Sequence, residues 1–541
     1  MVFRKGYIMG KYALLFAVAA GFAAPVFARL ETVNLFSDFM VLQHGMQIPV
    51  WGTGEQGAKI RVEFAGQVKE TVADGSWRWK VVLDPLEIST DGMEMEISDD
   101  LGGRIVYRDI LVGDVWLCSG QSNMEMNFNW GVCDGDKTIA EAAEYPLIRH
   151  VKMANETSID EERFVVSTHW NTRWRRACDD MGNVTACGYY FARSVFEKTG
   201  IPIGILEAAW SGCKIEPFIS YYGYTTVPEL APQLEKLSEL SPQCEKGRAA
   251  MEWLCTQLEQ WTADSRRRFA AGDYNVLRNP QLWDYSSVDG ATAQYNRMIA
   301  PVAAFPVKGA IWYQGCSNGG EGDSYVWKMR ALVNGWRHAW GYDFPFYYAQ
   351  IAALEEPGEE PGRGGGFAPV REAQRKALAV IGNCGMASTI DAGDRYDIHP
   401  KSKKLIGERL ALWALNRDYG FSDIVVSGPL FKSLEIEGDK AIVSFDYADC
   451  GLVAAEKKVP MDNEPPVETP GEALKGFAIA GEDRVWHWAN AEIDGDKVVV
   501  SSGQVAKPVA VRYAYDKNPL FRANLYNKAL LPASPFKSDD W

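Results

Sequence analysis

One serine and a distant acid–histidine pair are the residues of this chain whose types and spacing predict covalent chemistry. Ser122 closes a Gly-Gln-Ser turn after the apolar run Val115–Cys118, while Asp397 and His399 stand far along the chain. A serine hydroxyl becomes a nucleophile when a neutral imidazole, oriented by a carboxylate, removes its proton. The residue types therefore predict an acyl-transfer centre with Ser122 as nucleophile, His399 as base and Asp397 as the orienting acid.

These residues need a strand, a turn and a helix to position them. The apolar run predicts a buried β-strand, and the turn after it would expose Ser122 at the carboxyl edge of a sheet. A helix that begins after the turn would direct free N–H groups at the serine oxygen. Two simpler roles are open: Ser122 could cap that helix, and His399 before Pro400 could close a loop ahead of another helix.

Several ordered motifs resemble the sialate O-acetylesterase family, which consists of SGNH-type serine hydrolases. In chain order they are PVWGTGEQGAKI, GQSNM, AAWSGCKIEPF, YNRMIAP, GAIWYQGCSN, REAQ, DIHPKSKKLIGERLALWAL and the terminal RANLYNKALLPASPFKSDDW. The resemblance covers nearly the whole chain after residue 28. A set of motifs in this order is far more specific than a single GQSN would be.

The resemblance implies a mechanism and an oxyanion hole. Ser122 would attack an acetyl carbonyl, and His399 would return the proton to the departing sugar hydroxyl. The oxyanion donors would be the main-chain N–H groups of Ser122 and Gly212 and the side-chain amide of Gln314. Gly212 could instead be only a turn glycine, and Gln314 only a buried hydrogen-bond partner.

Two positions depart from the family pattern. Cys316 stands where related sequences often carry a glutamate, so a carboxylate expected to steady that loop is absent. Tyr396 stands three residues before the histidine, where many SGNH enzymes place the acid. The Asp-x-His spacing of this family favours Asp397, while Asp394 and Asp391 are further candidates, and a Ser–His dyad is an alternative.

Positive residues near the site suggest recognition of an anionic substrate. The helix predicted after Pro400 opens with Lys401, Lys403 and Lys404, although the positive end of a helix dipole disfavours cations. These lysines would either attract a sialic acid carboxylate or form a solvated basic face. Arg371 could instead clamp that carboxylate in bidentate fashion.

The order of β-like and helical segments predicts an α/β protein. We expect an N-terminal β-sandwich domain over 29–105, a hydrolase domain over 106–425 with a helical insertion at about 225–300, and a C-terminal β-rich region over 426–541. Alternating apolar strands and helical patterns predict three layers with a mostly parallel sheet in this domain, and the family resemblance implies an SGNH-hydrolase-like core. Its strand candidates are Val115–Cys118, Ile203–Ala208, Gly309–Tyr313, Phe346–Ile351 and Met386–Ile390.

Charge and the first residues predict export and exclude some partners. The formal net charge of −15 argues against nucleic acid or an anionic membrane surface as a partner. Residues 1–28 combine basic residues, an apolar run and a small-residue cleavage site at Ala28, as in a signal peptide. No later segment offers the roughly 20 apolar residues of a membrane span. We therefore expect a periplasmic or secreted protein.

Metal and cofactor chemistry have almost no support in the sequence. The ten cysteines and six histidines form no Cys-x-x-Cys pair and no His-Glu-x-x-His motif. We expect no metal and no cofactor. The cysteine spacing shows no compact disulfide framework, so disulfide pairing stays open, as does the oligomeric state.

The resemblance implies that the function is removal of O-acetyl groups, 9-O-acetyl in particular, from free or glycan-linked sialic acids. One alternative is an acetylesterase for neutral polysaccharides such as acetylated xylan, since the same groups would deacetylate it. A catalytically inactive carbohydrate-binding protein is a second alternative. A glycosidase is a third, but the carboxylate separations that glycosidases need cannot be read from sequence.

Overall fold

The computed structural model describes residues 29–162, 172–240, 244–275, 278–280 and 289–541. The signal peptide predicted at 1–28 lies outside the described residues. The described chain is an α/β protein with several sheets and a β-rich carboxyl-terminal region, which confirms the expected class. Within the described ranges, no helix has the length and apolar character needed to cross a membrane.

Strands in two sheets form the amino-terminal region. They are β1 (Glu31–Thr32), β2 (Val41–Gln43), β3 (Ile48–Thr53), β4 (Lys59–Phe64), β5 (Gln67–Val72), β6 (Arg78–Leu83), β7 (Ser89–Asp99) and β8 (Arg104–Gly120). The first sheet has the order β1-β3-β6, and in the second β5, β4, β7 and β8 pair in turn, with β2 beside β8. In β4, Ile60, Val62 and Phe64 are buried between less buried neighbours, so the strand packs through one face.

Strand β8 joins the amino-terminal region to the central sheet. Its first half pairs with β7, and its second half becomes continuously buried from Ile110 to Gly120. A strand covered on both faces has such an unbroken buried run. The domain boundary predicted between 105 and 106 therefore falls inside one 17-residue strand.

The central sheet has the strand order β10-β9-β11-β8-β12-β13-β14. Its further strands are β9 (Ile148–Lys152), β10 (Arg175–Arg176), β11 (Ile203–Ala209), β12 (Gly309–Tyr313), β13 (Phe346–Ala349) and β14 (Cys384–Ala387). All neighbours in this order pair in parallel except β10 and β9. The chain builds one side of β8 first and then the other, and open α/β sheets bind ligands at such a reversal of strand order.

Helices lie between these strands. They are α1 (Ser122–Glu125), α2 (Gly135–Glu141), α3 (Ala186–Thr199), α4 (Tyr221–Thr225), α5 (Ala231–Leu240), α6 (Glu245–Ala270), α7 (Ser324–Trp340), α8 (Ala368–Ala377) and α9 (Lys403–Asp418). α3 and α9 pack closely on each other. Gly407 of α9 permits this approach, because a Cβ there would lie 2.6 Å from the carbonyl oxygen of Cys187.

The predicted insertion at about 225–300 contains α5 and α6 in its described part. The apolar side chains that recur at helical spacing along α6 are incompletely covered: Met251, Leu254, Leu258 and Trp261 are half-buried, and Cys255 is exposed. The remainder of the predicted insertion includes residues 241–243, 276–277 and 281–288, which lie outside the described residues.

The carboxyl-terminal region forms three small sheets around a second apolar core. Its strands are β15 (Leu430–Glu437), β16 (Lys440–Asp446), β17 (Leu452–Glu456), β18 (Val467–Glu468), β19 (Phe477–Ala480), β20 (Trp486–Trp488), β21 (Asn490–Asp494), β22 (Lys497–Ser501), β23 (Ala510–Tyr513), β24 (Leu525–Asn527) and β25 (Phe536–Lys537). Val443, Val498, Val511 and Phe536 lie in that core. Ile390 joins the same cluster, so this region packs beside the chain that leads from β14 to the histidine.

Candidate active site

Ser122 is the first residue of α1 and follows β8 by two positions. The preceding turn requires glycine, because Gly120 has a φ of +137° and a Cβ there would lie 2.3 Å from the carbonyl oxygen of Tyr313. Gln121 fixes the turn to the loop after β12, since its Oε1 accepts the N–H groups of Gly315 at 2.8 Å and Cys316 at 3.0 Å. The turn thus presents Ser122 at the carboxyl edge of the central strand, with 8% of its surface exposed.

Asp397 and His399 lie in the segment between β14 and α9. Oδ1 of Asp397 is 3.3 Å from Nδ1 of His399 and accepts the histidine main-chain N–H at 2.9 Å. Nε2 of His399 is buried and has no hydrogen-bond partner among the described residues. A carboxylate on one ring nitrogen leaves the other free to act as a base.

Burial and nearby charges favour a neutral His399 and an ionised Asp397, the forms that a general base and its orienting acid require. Burial and the charge of Lys403 lower the pKa of His399 from its usual 6.5. Burial alone would raise the pKa of Asp397, but the N–H of His399 and the ammonium of Lys401 outweigh it and lower that pKa. The ring is therefore neutral, and the carboxylate ionised, at neutral pH.

The other two candidate acids have different partners. Asp391 forms two hydrogen bonds with the Arg409 guanidinium, at 2.6 and 2.7 Å. Oδ1 of Asp394 accepts the main-chain N–H groups of Tyr396 and Asp397, at 2.6 and 3.0 Å. Of the three acids, Asp397 is therefore the one with a carboxylate oxygen facing the histidine ring.

Asn123 connects the serine turn to the histidine segment. Its Nδ2 donates to the carbonyl oxygen of Ile398 at 3.0 Å, and its Oδ1 accepts from Nζ of Lys403 at 2.5 Å. Asn123 follows Ser122 directly, and Ile398 precedes His399 directly. One side chain thus brings together two segments that are far apart in sequence, a contact that the sequence did not predict.

The turn after β11 contains Gly212, whose main-chain N–H is a candidate oxyanion donor. Gly212 is exposed and has a φ of +75°, a left-handed conformation that favours glycine. Within the described residues its N–H has no hydrogen-bond partner, while its carbonyl oxygen accepts the hydroxyl of Ser317 at 3.0 Å. Ser122 opens α1, so its own N–H has no acceptor inside the helix. Two free N–H groups are thus available beside the serine turn.

Gln314 lies inside the protein with its whole side chain engaged. Its Nε2 donates to the carbonyl oxygen of Cys213 at 3.3 Å and to Oδ1 of Asn318 at 2.8 Å, and its Oε1 accepts from the hydroxyl of Tyr325 at 2.8 Å. Both hydrogens of the Gln314 amide are donated to acceptors within the protein. The amide is therefore not free to donate to an oxyanion, contrary to what the resemblance implied. It suits a role in holding the Gly212 turn in place.

Arg371 does not fit the expected carboxylate clamp either. It is fully buried in α8, and its guanidinium donates to the carbonyl oxygens of Ala352, Asp516 and Lys517. Burial lowers the pKa of Arg371 to about 10. The guanidinium holds the carboxyl-terminal region against the region of the central sheet, and a substrate carboxylate has no access to it.

The segment after α1 forms a wall beside the histidine. The indole of Trp130 meets the ring of His399 edge to face, with centroids 5.6 Å apart, and 38% of Trp130 is exposed. Its carbonyl oxygen accepts from Nζ of Lys401 at 3.1 Å. An exposed indole at this place offers an apolar surface for the face of a sugar ring.

The described residues form neither a metal-binding cluster nor a disulfide bond. No group of three or more His, Cys, Asp and Glu side chains in the described ranges is arranged to hold a metal ion. All ten cysteines lie in those ranges, and each is a free thiol. Burial raises the pKa of Cys316 to about 12, so its thiol is protonated at neutral pH.

Comparisons with known proteins agree with this architecture. A family model described as "Carbohydrate esterase, sialic acid-specific acetylesterase" matches residues 279–416. The sialate O-acetylesterase of Mus musculus is 26% identical and aligns over 93% of both chains. That of Homo sapiens is 24% identical over 74% of this chain and 72% of its own. The solved structure of a carbohydrate acetylesterase from Xanthomonas citri is 32% identical, with a TM-score of 0.74, over 94% of this chain and 100% of that one.

These relationships identify the protein as a carbohydrate esterase. Within that class, the chain belongs to the sialate O-acetylesterase family. The resemblance recognised from the motifs around Ser122, Gly212 and His399 is thereby confirmed at the level of the family.

Proposed function

We propose that this protein is a sialate O-acetylesterase, which removes O-acetyl groups, 9-O-acetyl in particular, from free or glycan-linked sialic acids. The observation that carries the proposal is the bond from Nδ2 of Asn123 to the carbonyl oxygen of Ile398, at 3.0 Å. It joins the neighbour of the serine nucleophile to the neighbour of the histidine base. The relatives named as sialate O-acetylesterases support the substrate class.

The proposed reaction passes through an acetyl-enzyme. Asp397 holds the Nδ1–H of His399, and Nε2 takes the proton of Ser122 as its oxygen attacks the acetyl carbon. The main-chain N–H groups of Ser122 and Gly212 donate to the developing oxyanion, and losing one such donor typically costs ~100- to 1,000-fold in rate. His399 then protonates the departing sugar oxygen. Water, activated by the same histidine, releases acetate and restores Ser122.

The fold that supports this reaction is a three-layer SGNH-hydrolase-like core in the same proposal. α3 and α9 pack on each other and contact strands of the central sheet, while α4, α7 and α8 form a second packed group. The two amino-terminal sheets form the β-sandwich domain. Export to the periplasm or the medium is part of the proposal too, and it rests on the composition of residues 1–28.

A neutral acetylated polysaccharide is the second candidate substrate, and one observation favours it. Arg371, the residue expected to bind a sialate carboxylate, is fully buried and occupied by three carbonyl oxygens. In addition, the similar Xanthomonas citri protein is described as a carbohydrate acetylesterase, without reference to sialic acid. An acetylated xylan would meet the same nucleophile and base and would need no cation.

A side-by-side assay of acetate release tests both candidates. Native protein and Ser122→Ala are compared on 9-O-acetyl sialic acid and on acetylated xylo-oligosaccharide, after circular dichroism has shown that both are folded. Preference for the sialate, abolished in the variant, is the expected result. Ser122-dependent release from xylan alone would move the substrate to neutral polysaccharides. No Ser122-dependent release from either would favour a carbohydrate-binding protein without esterase activity.

A further inference from the structure

Lys403 is the first residue of α9, and its side chain points into the protein. It is fully buried, contrary to the expectation of a solvated basic face or a substrate-facing cluster. Burying an ammonium group is costly unless it has partners. Lys403 forms no ion pair with a carboxylate in the described ranges. Its Nζ contacts Oδ1 of Asn123 at 2.5 Å and the ring of Tyr313, with the ring centroid 5.1 Å away.

We infer that Lys403 is a positioning residue of the esterase site: its ammonium holds Asn123 between the serine turn and the histidine segment and brings a buried positive charge next to that segment. The inference rests on the proposed function, because it concerns the same nucleophile and base. It gives a role to a buried charge that the proposed reaction does not use.

The geometric part of the inference follows from the chemistry of the Asn123 amide. An amide has one acceptor oxygen and one NH₂ donor, and Lys403 has only donors. With Oδ1 held by Lys403, the NH₂ group must face the other way, toward the carbonyl oxygen of Ile398. Without Lys403, the amide can turn over and the serine turn loses its link to the histidine. A displacement of about 1 Å between reacting groups can cost ~100-fold in rate.

The electrostatic part follows from the groups around the ammonium. Titratable groups face Lys403 from each neighbouring element: Cys187 of α3, Tyr313 and Cys316 of β12 and its loop, and Asp397, His399 and Lys401 of the histidine segment. The one carboxylate among them, Asp397, is 3.1 Å from Nζ of Lys401 and 3.3 Å from the ring of His399. The charge of Lys403 therefore acts on the ring without a carboxylate partner of its own.

The directions of the two pKa shifts agree with this arrangement. Burial lowers the pKa of Lys403 to about 7, so the ammonium is charged below neutral pH. In that pH range, burial and the Lys403 charge lower the pKa of His399. The lysine thus extends the activity of the base toward lower pH.

Lys403→Met tests the inference through the pH profile of kcat/KM on p-nitrophenyl acetate, a small ester that needs no sugar contacts. We expect the acid limb to move to higher pH and kcat to fall ~10-fold, with KM nearly unchanged. Lys404→Met is the matched control, because Lys404 is the next residue, its side chain is 44% exposed and it lies near Glu408 at 3.8 Å. Its profile should match that of the native protein. An acid limb of Lys403→Met that coincides with the native limb would overturn the inference.

Asn123→Ala separates the geometric part from the charge and decides the matter if Lys403→Met fails to fold. It removes the link and keeps the ammonium, so kcat should fall ~10-fold while the acid limb stays in place. A kcat within twofold of the native value overturns the inference. Ser122→Ala is assayed in parallel: residual full activity would refute the proposed function, whereas Ser122-dependent hydrolysis with normal Lys403 and Asn123 variants would refute the present inference alone.

Discussion

The carboxylate of Glu125 accepts two hydrogen bonds from Ser211, one from the main-chain N–H at 2.7 Å and one from the hydroxyl at 2.5 Å. Glu125 lies in α1, three residues after Ser122, and Ser211 directly precedes Gly212. The other carboxylate oxygen of Glu125 accepts a hydrogen bond from Nζ of Lys152 at 3.2 Å. A fixed carboxylate therefore determines how the two main-chain donors of the proposed oxyanion hole are spaced.

Glu125→Gln should lower kcat by ~10- to 100-fold and leave KM nearly unchanged. The amide keeps a single acceptor oxygen and brings an NH₂ group toward Lys152 or Ser211, so the Gly212 turn shifts while the groups around His399 stay in place. Steady-state kinetics on an acetyl ester measure this. Glu482→Gln, at an exposed position, is the control and should behave as the native protein. Equal kcat values for Glu125→Gln and that control would contradict the prediction.

Asp397→Asn and Asp394→Asn form a matched pair in one segment. Loss of the carboxylate that orients His399 should lower kcat by ~1,000- to 10,000-fold, as in other serine triads. Asp394 accepts main-chain N–H groups of its own turn, so Asp394→Asn should cost less than ~10-fold. Single-turnover kinetics on an activated acetate separate the two. A small effect at Asp397 would favour a Ser–His dyad.

The pH dependence of the native protein should have its acid limb below pH 6.5. The base works as neutral imidazole, and burial together with Lys403 lowers the pKa of His399 from 6.5. Activity is therefore retained as the pH falls to 6.5 and is lost as it falls through the lowered pKa. The pKa of Asp397 is also lowered, so the carboxylate stays ionised throughout. A limb midpoint above 6.5 in kcat/KM is the contrary result.

Arg371→Lys should reduce stability and leave substrate preference unchanged. A lysine cannot reach the three carbonyl oxygens that the planar guanidinium serves, and we expect a loss of roughly 3 kcal/mol in the free energy of unfolding. Urea titration measures this, with Arg363→Lys as the control because that side chain is 71% exposed. The kcat/KM values for sialate and neutral acetyl esters should fall by the same factor. A rise in KM for the sialate alone would restore the carboxylate clamp.

Strands with unbroken apolar composition could be predicted from the sequence, and those with buried charges could not. Gly309–Tyr313 agrees with β12, and the runs before Ser122 and at Ile203–Ala208 lie inside β8 and β11. The sequence does not predict β9, because Arg149 and His150 interrupt the apolar run of that strand. Both side chains are buried, and the Arg149 guanidinium lies 3.1 Å from Asp109, a partner that only tertiary structure brings near.

In the glycine-rich segment 355–366, too, the local composition does not reveal the distant partners that the segment has in the structure. Its composition predicts a flexible loop, either a lid or an ordinary solvated loop. In the structure, the carbonyl oxygens of Gly358 and Gly362 accept hydrogen bonds from Arg522 and Arg512 of the carboxyl-terminal region. These arginines are more than a hundred residues away, so the composition of the loop alone could not predict these hydrogen bonds.

The sequence by itself determined the family, through motifs that follow one another in a fixed order. It also predicted the Gly-Gln-Ser turn and the Asp-x-His segment as candidate site elements, because glycine turns and apolar strands are local patterns. The tertiary structure decided the destinations of the long polar side chains. Arg371 and Lys403 look alike in sequence as cations near a site, yet one holds main-chain carbonyl oxygens and the other holds Asn123. The partner of a charged side chain depends on which distant segments fold against it, and that partner decides whether the charge binds substrate, stabilises the fold or positions the base.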